Sequence, residues 1–430
     1  MNGEDFFLVR RRLGQLMRAA PTTLALGTGA GQVILLLLAP LLSRLYTPAA
    51  FGVFASAAAV CALIGPIATL KLESVVALEA NEKYVGAATR LALLAVATCS
   101  SLVGILLCLL TWLGASRTGI SMQWEWGLAV PPTVMVAGVW LVLVQTALRR
   151  RNYNLIASSG VLQCFGTGAS QLALSLVTRT GGGLLWGSVL GRSIGIVALA
   201  RVDSRWLRRP HAGTYPALLR RYRSFPLVFA PSAVLNALGL QLPLLLILLW
   251  FGPYEAGLLA LTQRVIMTPS MVLIPAFGQW FAAEVAARLR ASSGTTLDFY
   301  LRVSAYLSIP AAFVVGASWF VAPILLPPLM GPGWDAVGDY ARAVGVATAL
   351  GLVVAPTSYV LIAHERAARV VAIDISRVAL ILSFGLLAHA RDATPVVCVA
   401  SMYGGLCVTY VGMWFVGRSV SSREKVRRLV

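Results

Sequence analysis

Four arginines stand in otherwise apolar stretches of this chain. Arg192 lies in VLGRSIGI, Arg264 in LLALTQRVIMTP, Arg377 in VVAIDISRVAL, and Arg302 near the edge of its stretch. A charge left uncompensated at the middle of a bilayer costs about 3 kcal/mol or more, so each must meet water or a partner. A guanidinium stays charged and its fork of N–H donors grips phosphate oxygens in pairs. Arg192 and Arg264 are therefore candidate ligands for an anionic group, with a structural bond to a carbonyl as the alternative for each. Gln263 beside Arg264, and Pro269 beyond it, mark a polar and irregular helix. Asp374 and Arg377 are three residues apart and share a helix face. They are either a self-neutralising pair or a carboxylate that exchanges a proton while Arg377 engages its ligand. Lys71 and Glu73 form another pair, at a membrane edge, with a structural or a gating role. Arg302 is expected to snorkel to the surface.

The elements that hold these residues follow from composition. Of 430 residues, 58% are hydrophobic and 12% charged, against roughly 25% charged in a soluble domain. Long apolar stretches recur from end to end, each near the roughly 20 residues a spanning helix needs. The expected fold is an all-α membrane protein of about twelve spans, near 22–43, 52–70, 87–112, 126–148, 155–177, 183–200, 227–250, 255–278, 300–324, 341–362, 368–388 and 394–416. Only the short turn TRTGGG divides the fifth from the sixth. The expected organisation is a cytoplasmic segment 1–21, a six-helix bundle 22–200, a basic linker 201–226, a second six-helix bundle 227–416 and a basic tail 417–430. Charge on both sides of a weak apolar stretch in the first 21 residues is unlike a cleavable signal.

Charge supplies the orientation. With the N-terminus in the cytoplasm, 26 Lys and Arg fall on the cytoplasmic side and 5 on the other. That is the bias of basic residues toward cytoplasmic loops. The net charge of +19 is thus assigned to loops that orient helices, and nucleic acid is not expected as a partner. The six cysteines all sit in apolar stretches without metal spacing and are expected to be free thiols. No catalytic, metal or cofactor constellation is present: no paired acids for sugar transfer, no nucleotide-binding glycine loop, and three scattered histidines.

The chain also repeats itself. YTPAAFGVFA at 46–55 and FGPYEAGLLA at 251–260 match in register, 205 residues apart. Pro48 corresponds to Pro253 and Gly52 to Gly257, at the junction of the first two spans of each half. Proline ends one span and glycine lets the next pack closely. Six spans per half is an even number, so both halves enter the membrane from the same side and form parallel repeats. Two such bundles around a central cavity permit alternating access, and the expected site has Arg192 and Arg264, one from each half, facing that cavity.

The run SRLYTPAAFGVFA, followed by IATLKLESVVALEANEKYVGAA, resembles the opening of bacterial oligosaccharide flippases of the polysaccharide transporter family, the Wzx type. FGPYEAGLLALTQRV resembles their second-half corner, and MGPGWDAVGDYARAVG their outer loop before the tenth span. Lys71 and Leu72 depart from the Arg and aromatic residue common there. The resemblance implies the architecture shared with multidrug and lipid II flippases. It also implies export of a polyprenyl-diphosphate-linked oligosaccharide across the bacterial inner membrane for surface polysaccharide synthesis, both termini being cytoplasmic. Arg264, Arg192 and Arg377 would then bind the diphosphate. Membrane lipid and the polysaccharide polymerase and chain-length machinery would be partners. Two readings from other classes stand beside this: an integral-membrane polymerase or glycosyltransferase, which calls for a larger outer loop, and a cation-coupled drug exporter, which calls for an acidic cavity.

Overall fold

The computed structural model describes residues 27, 29–79, 81–112, 124–200, 214–291, 296–364 and 366–422, and among these there is no β-strand. The helices are α1 (Gly29–Leu45), α2 (Pro48–Ala68), α3 (Leu72–Leu78), α4 (Glu82–Trp112), α5 (Trp124–Arg149), α6 (Tyr153–Ser175), α7 (Gly181–Ala200) and α8 (Thr214–Arg221). They continue with α9 (Ala230–Phe251), α10 (Pro253–Ala291), α11 (Thr296–Gly316), α12 (Ala322–Met330), α13 (Val337–Thr357), α14 (Tyr359–Ala363), α15 (Ala367–His389) and α16 (Pro395–Ser422). Among the described residues, nine helical spans are long and apolar enough to cross a bilayer, ten if the bent α10 is one span, and α1 is a shorter apolar helix. With α6, which is 23 residues long but diluted by Ser, Thr and Gln, they follow the expected spans in order. The chain is a multi-pass, all-α membrane protein.

Several boundaries depart from the apolar stretches for local reasons. α10 runs 39 residues, well past the expected end of its span. Its extension QWFAAEVAARLRA is rich in strong helix formers, and Arg288 Nε lies 2.8 Å from Glu284 Oε1 one turn back. A π-helical turn, Phe225–Phe229, leads into α9, and another, Ala317–Val321, joins α11 to α12. Within the expected linker, the short helix α8 turns Leu218 inward and carries Arg220 and Arg221 in its last turn.

Contacts divide the chain into two compact units. One takes its residues from 1–37, 65–174 and 185–230, the other from 38–64, 175–184 and 231–430. In the first, α6 and α7 are pressed together along Gly187, Gly191 and Gly195, which recur every four residues. A Cβ on Gly191 would overlap the backbone of Thr167, and one on Gly187 would lie 2.9 Å from the Gln171 amide nitrogen. Small residues at this period let helix backbones approach closely. Further along the same unit, Leu72, Val75 and Val76 of α3, Val85 and Ala88 of α4, and Leu218 of α8 form one buried apolar cluster.

The second unit contains both copies of the repeated corner, and they touch each other. A Cβ on Gly52 would overlap the carbonyl oxygen of Pro253, and a Cβ on Gly257 would overlap the carbonyl oxygen of Pro48. Each glycine thus clears the other copy's proline carbonyl, and any side chain at either position forces the first turns of α2 and α10 apart. The loop after α12 closes over this contact. Gly331 and Gly333 take φ of 94° and 83°, open to glycine without strain. They place Trp334, fully buried, edge-on to Phe51 with ring centroids 5.3 Å apart. Trp334 Nε1 donates to the Ser43 carbonyl at 2.9 Å, Ser43 Oγ donates to the Met330 carbonyl at 2.9 Å, and Tyr254 OH donates to the Gly333 carbonyl at 2.8 Å.

Gly52→Ala and Gly257→Ala should each lower the thermal stability of the detergent-purified protein, by about 1–3 kcal/mol as for other overpacked sites. Gly65→Ala, on the same helix α2 but with open space where its Cβ would go, should be neutral or stabilising by up to about 1 kcal/mol. Equal melting temperatures for all three variants would remove the corner contact from the account.

Candidate functional site

The charged residues of the membrane spans fall into separate places, described unit by unit. In the second unit, Asp374 and Arg377 lie one turn apart on α15, and Arg377 Nη1 is 3.2 Å from Asp374 Oδ1. The same nitrogen donates to Asn236 Oδ1 on α9 at 3.0 Å. Both are buried, Asp374 at 7% and Arg377 at 6% exposure. Room for the arginine stem comes from Gly239 one turn along α9, where a Cβ would stand 2.9 Å from Arg377 Cδ. Arg377 Nε is buried with no hydrogen-bond partner. The pair is therefore neutral in sum but retains one unused donor. Cutting such a pair by removing one partner leaves an uncompensated buried charge, at about 3–5 kcal/mol.

Arg264 stands on α10 in the same unit, partly buried, four residues before a break. Pro253–Thr268 and Leu273–Ala286 meet there at 41°. Two residues make the bend. Pro269 has no N–H to give the helix ladder. The Thr268 hydroxyl donates back to the Arg264 carbonyl, a bond that tends to bend helices. Ser270 Oγ, at the bend itself, is buried without a hydrogen-bond partner. Beside Arg264, Gln263 Nε2 donates to Tyr403 OH of α16 at 2.7 Å. The sequence expectation of a polar, irregular segment around Arg264 thus corresponds to a bent helix with one buried hydroxyl, Ser270 Oγ, left without a partner.

Arg192 lies in the first unit, partly buried on α7. It follows Gly191, the residue at which α7 presses on α6. The structure thus places Arg264 and Arg377 in one unit and Arg192 in the other.

Lys71 lies in the turn after α2 and caps α3, whose first turn carries Glu73. Leu70 and Lys71 both take left-handed backbone, φ 51° and 57°, which costs a non-glycine residue roughly 1 kcal/mol or more. Lys71 Nζ lies 3.5 Å from Glu73 Oε1, while Glu73 Oε2 is buried with no hydrogen-bond partner.

A second carboxylate in this stretch escaped the sequence reading. Glu79 is fully buried and ties α3 to α8. Tyr222 OH donates to Glu79 Oε2 at 3.0 Å, and Arg221 Nη1 lies 3.5 Å from Oε1. The Asn81 amide donates to Oε1 at 3.0 Å. Arg149, at the end of α5, donates to the Glu79 carbonyl and satisfies the C-terminus of α3. Burial, and then the hydrogen bond and charge of Glu79, push the Tyr222 hydroxyl above the ordinary tyrosine range, with Arg221 pulling the other way. The one available signal was the six-residue interval between Glu73 and Glu79 in LESVVALE, which does not reveal that Arg221 and Tyr222 come back from 142 and more residues away.

Glu79→Ala should free α8. Amide exchange across 214–222 should quicken about tenfold, the equivalent of 1.4 kcal/mol and within the range for a charged hydrogen bond. Tyr222→Phe should give a smaller effect in the same direction. The Tyr222 contribution is present below the unfolded tyrosine value near 10 and is lost as pH rises through its raised folded value. Unchanged exchange in Glu79→Ala would show that apolar packing alone holds the helix.

The comparisons bear on this arrangement. No curated protein is found to match the chain in sequence. Among solved structures, an inward-facing multidrug resistance MATE family transporter of the MOP superfamily is similar at 14% identity and a TM-score of 0.61, covering 94% of this chain and 96% of that one. A MOP superfamily transporter from Pyrococcus furiosus, described by a reverse polarity of its binding pocket, is similar at 13% identity and 0.61, covering 94% and 96%. A eukaryotic MATE transporter is similar at 14% identity and 0.53, covering 96% and 99%. At these identities the likeness shows the fold, which is MATE-like. The sequence profile of a family described as polysaccharide biosynthesis protein matches residues 41–338, and the chain belongs to that family.

Proposed function

We propose that this member of the polysaccharide biosynthesis protein family is a flippase. It carries a polyprenyl-diphosphate-linked oligosaccharide across the bacterial inner membrane by alternating access, for surface polysaccharide assembly. The observation that carries the reading is Arg264, a partly buried cation four residues before the bend of α10, in a chain of this family. A diphosphate needs cationic, forked donors along a path through about 30 Å of hydrocarbon. The bend of α10 frees backbone groups that a polar cargo or water can satisfy.

Arg264 is assigned to the diphosphate, with Arg377 as a reserve donor through its unused Nε, and Arg192, in the other unit, is assigned an anion contact of its own. Asp374 is assigned to coupling: a proton on its carboxyl would release Arg377 toward an anion, and loss of that proton would recapture it. Lys71 and Glu73 form a gating pair at a strained turn. The basic-residue bias supports a cytoplasmic position for both termini. A polymerase and the chain-length machinery would take the cargo on the far side. The alternative of a cation-coupled drug exporter draws on the MATE-like fold, but the Asp374 carboxylate faces Arg377 and so is not a free anionic site.

Inverted vesicles loaded with a labelled lipid-diphosphate sugar should show protein-dependent uptake, whereas a cationic dye should not be moved. Arg264→Lys should retain part of the uptake, Arg264→Ala at least tenfold less, and Arg264→Glu no more than Ala, all at unchanged membrane abundance. Loss of abundance with normal specific transport in Arg264→Ala would assign the residue to structure instead. Arg377→Ala should lower abundance because Asp374 is left unpaired, and Arg377→Leu with Asp374→Leu should restore it. If the restored double variant also loses its pH dependence of transport, Asp374 is the coupling group. An unaltered pH profile would remove it from coupling.

A further inference from the structure

Between α15 and α16, within the second unit, lies an open groove of about 520 Å³. Ala372 and Ile373 of α15 and Phe415 and Val416 of α16 form its walls, with Arg369 and Ser419 at one end. The groove also includes Ser376, seven residues from Arg369 and so about 10 Å further along the helix. Ser376 spends its hydroxyl on the Ile373 carbonyl at 2.8 Å, leaving little at that depth that prefers water. The polar end differs. Arg369 is partly buried, and its guanidinium makes no ion pair or hydrogen bond to a described residue. Arg418, the next cation on α16, is turned over the Trp414 ring at 5.7 Å. Among the described residues, no acidic one lines the groove.

We infer that this groove holds one anionic glycerophospholipid of the surrounding bilayer, its phosphate on Arg369 and an acyl chain along the Ala372, Ile373 and Phe415 walls. Charge complementarity selects the occupant. An unpaired cation at the mouth of an apolar trough between spanning helices fits an amphiphile with a negative head, and basic clefts between spans on the cytoplasmic side recognise such heads. A zwitterionic lipid offers the same chains but no net charge to Arg369. The inference does not rest on the cargo assignment: none of Arg264, Arg192, Asp374 and Arg377 lines the groove.

Lipid-dependent thermal unfolding and native mass spectrometry of the full chain in neutral detergent test this, with phosphatidylglycerol, phosphatidylcholine and soluble glycerol phosphate as probes. Phosphatidylglycerol should raise the melting temperature by several degrees more than phosphatidylcholine and be retained at least tenfold more often as a single adduct. Arg369→Gln should erase that preference, and Arg366→Gln, an exposed neighbour outside the groove, should keep it. Ser376→Trp should fill the trough and reduce retention of both lipids. Equal response to the two lipids, or a preference that survives Arg369→Gln, would overturn the proposal. So would an equal shift from glycerol phosphate, which would mean a phosphate site without a lipid. If Ser376→Trp does not fold, the two arginine variants decide alone.

Discussion

The structure depends on a contact in which no side chain takes part. Gly52 and Gly257 each face the carbonyl oxygen of the other copy's proline, so the first turns of α2 and α10 meet backbone to backbone. In the membrane interior there is little hydrophobic gain in bringing helices together, and close van der Waals approach has to supply it. Small residues at the crossing make that approach possible. The same constraint recurs in Gly187, Gly191 and Gly195 of α7 against α6, and in Gly239, which admits the stem of Arg377. Glycine in this chain is mostly a statement about what comes near.

Around the crossing, the second unit is closed by polar bonds rather than by more apolar surface. Trp334 is buried against Phe51 while its indole nitrogen holds the Ser43 carbonyl. Tyr340 OH donates to Glu255 at 2.6 Å on the first turn of α10. These satisfied groups contrast with the spans below, where Ser270 Oγ and Arg377 Nε lack partners. Buried polar groups are nearly always satisfied in a finished core. Two of the buried atoms without a partner in this unit lie at the bend of α10 and at the α15 ion pair, and a third, Ser56 Oγ, lies on α2 one turn past Gly52.

The loop side of the first unit has its own economy. Glu73, in the first turn of α3, and Glu79, at its C-cap, stand six residues apart. Glu79 is held by Arg221, Tyr222 and the Asn81 amide, whereas Glu73 has only Lys71, on a backbone forced into the left-handed region. One carboxylate fastens α8 to α3, and the other follows a strained turn with an oxygen to spare. Neighbouring residues of the same type acquire different roles through what the rest of the chain brings to them.

Much of this could be read without coordinates. Composition and the length of the apolar stretches determined an all-α membrane protein, because a chain this apolar has no way to cover itself in water and a helix satisfies its own backbone. The register of YTPAAFGVFA with FGPYEAGLLA determined that two equivalent corners exist, and Gln263 and Pro269 marked the polar break on α10. What required the tertiary structure was every relation between segments far apart in sequence. That the two corners pack on each other, that Asn236 meets Arg377, and that Arg221 and Tyr222 return to Glu79 are all decided by three-dimensional proximity. Hydropathy averages over a window and pairwise spacing sees only one helix face. A bond across 141 residues, as between Arg377 and Asn236, leaves no trace in either.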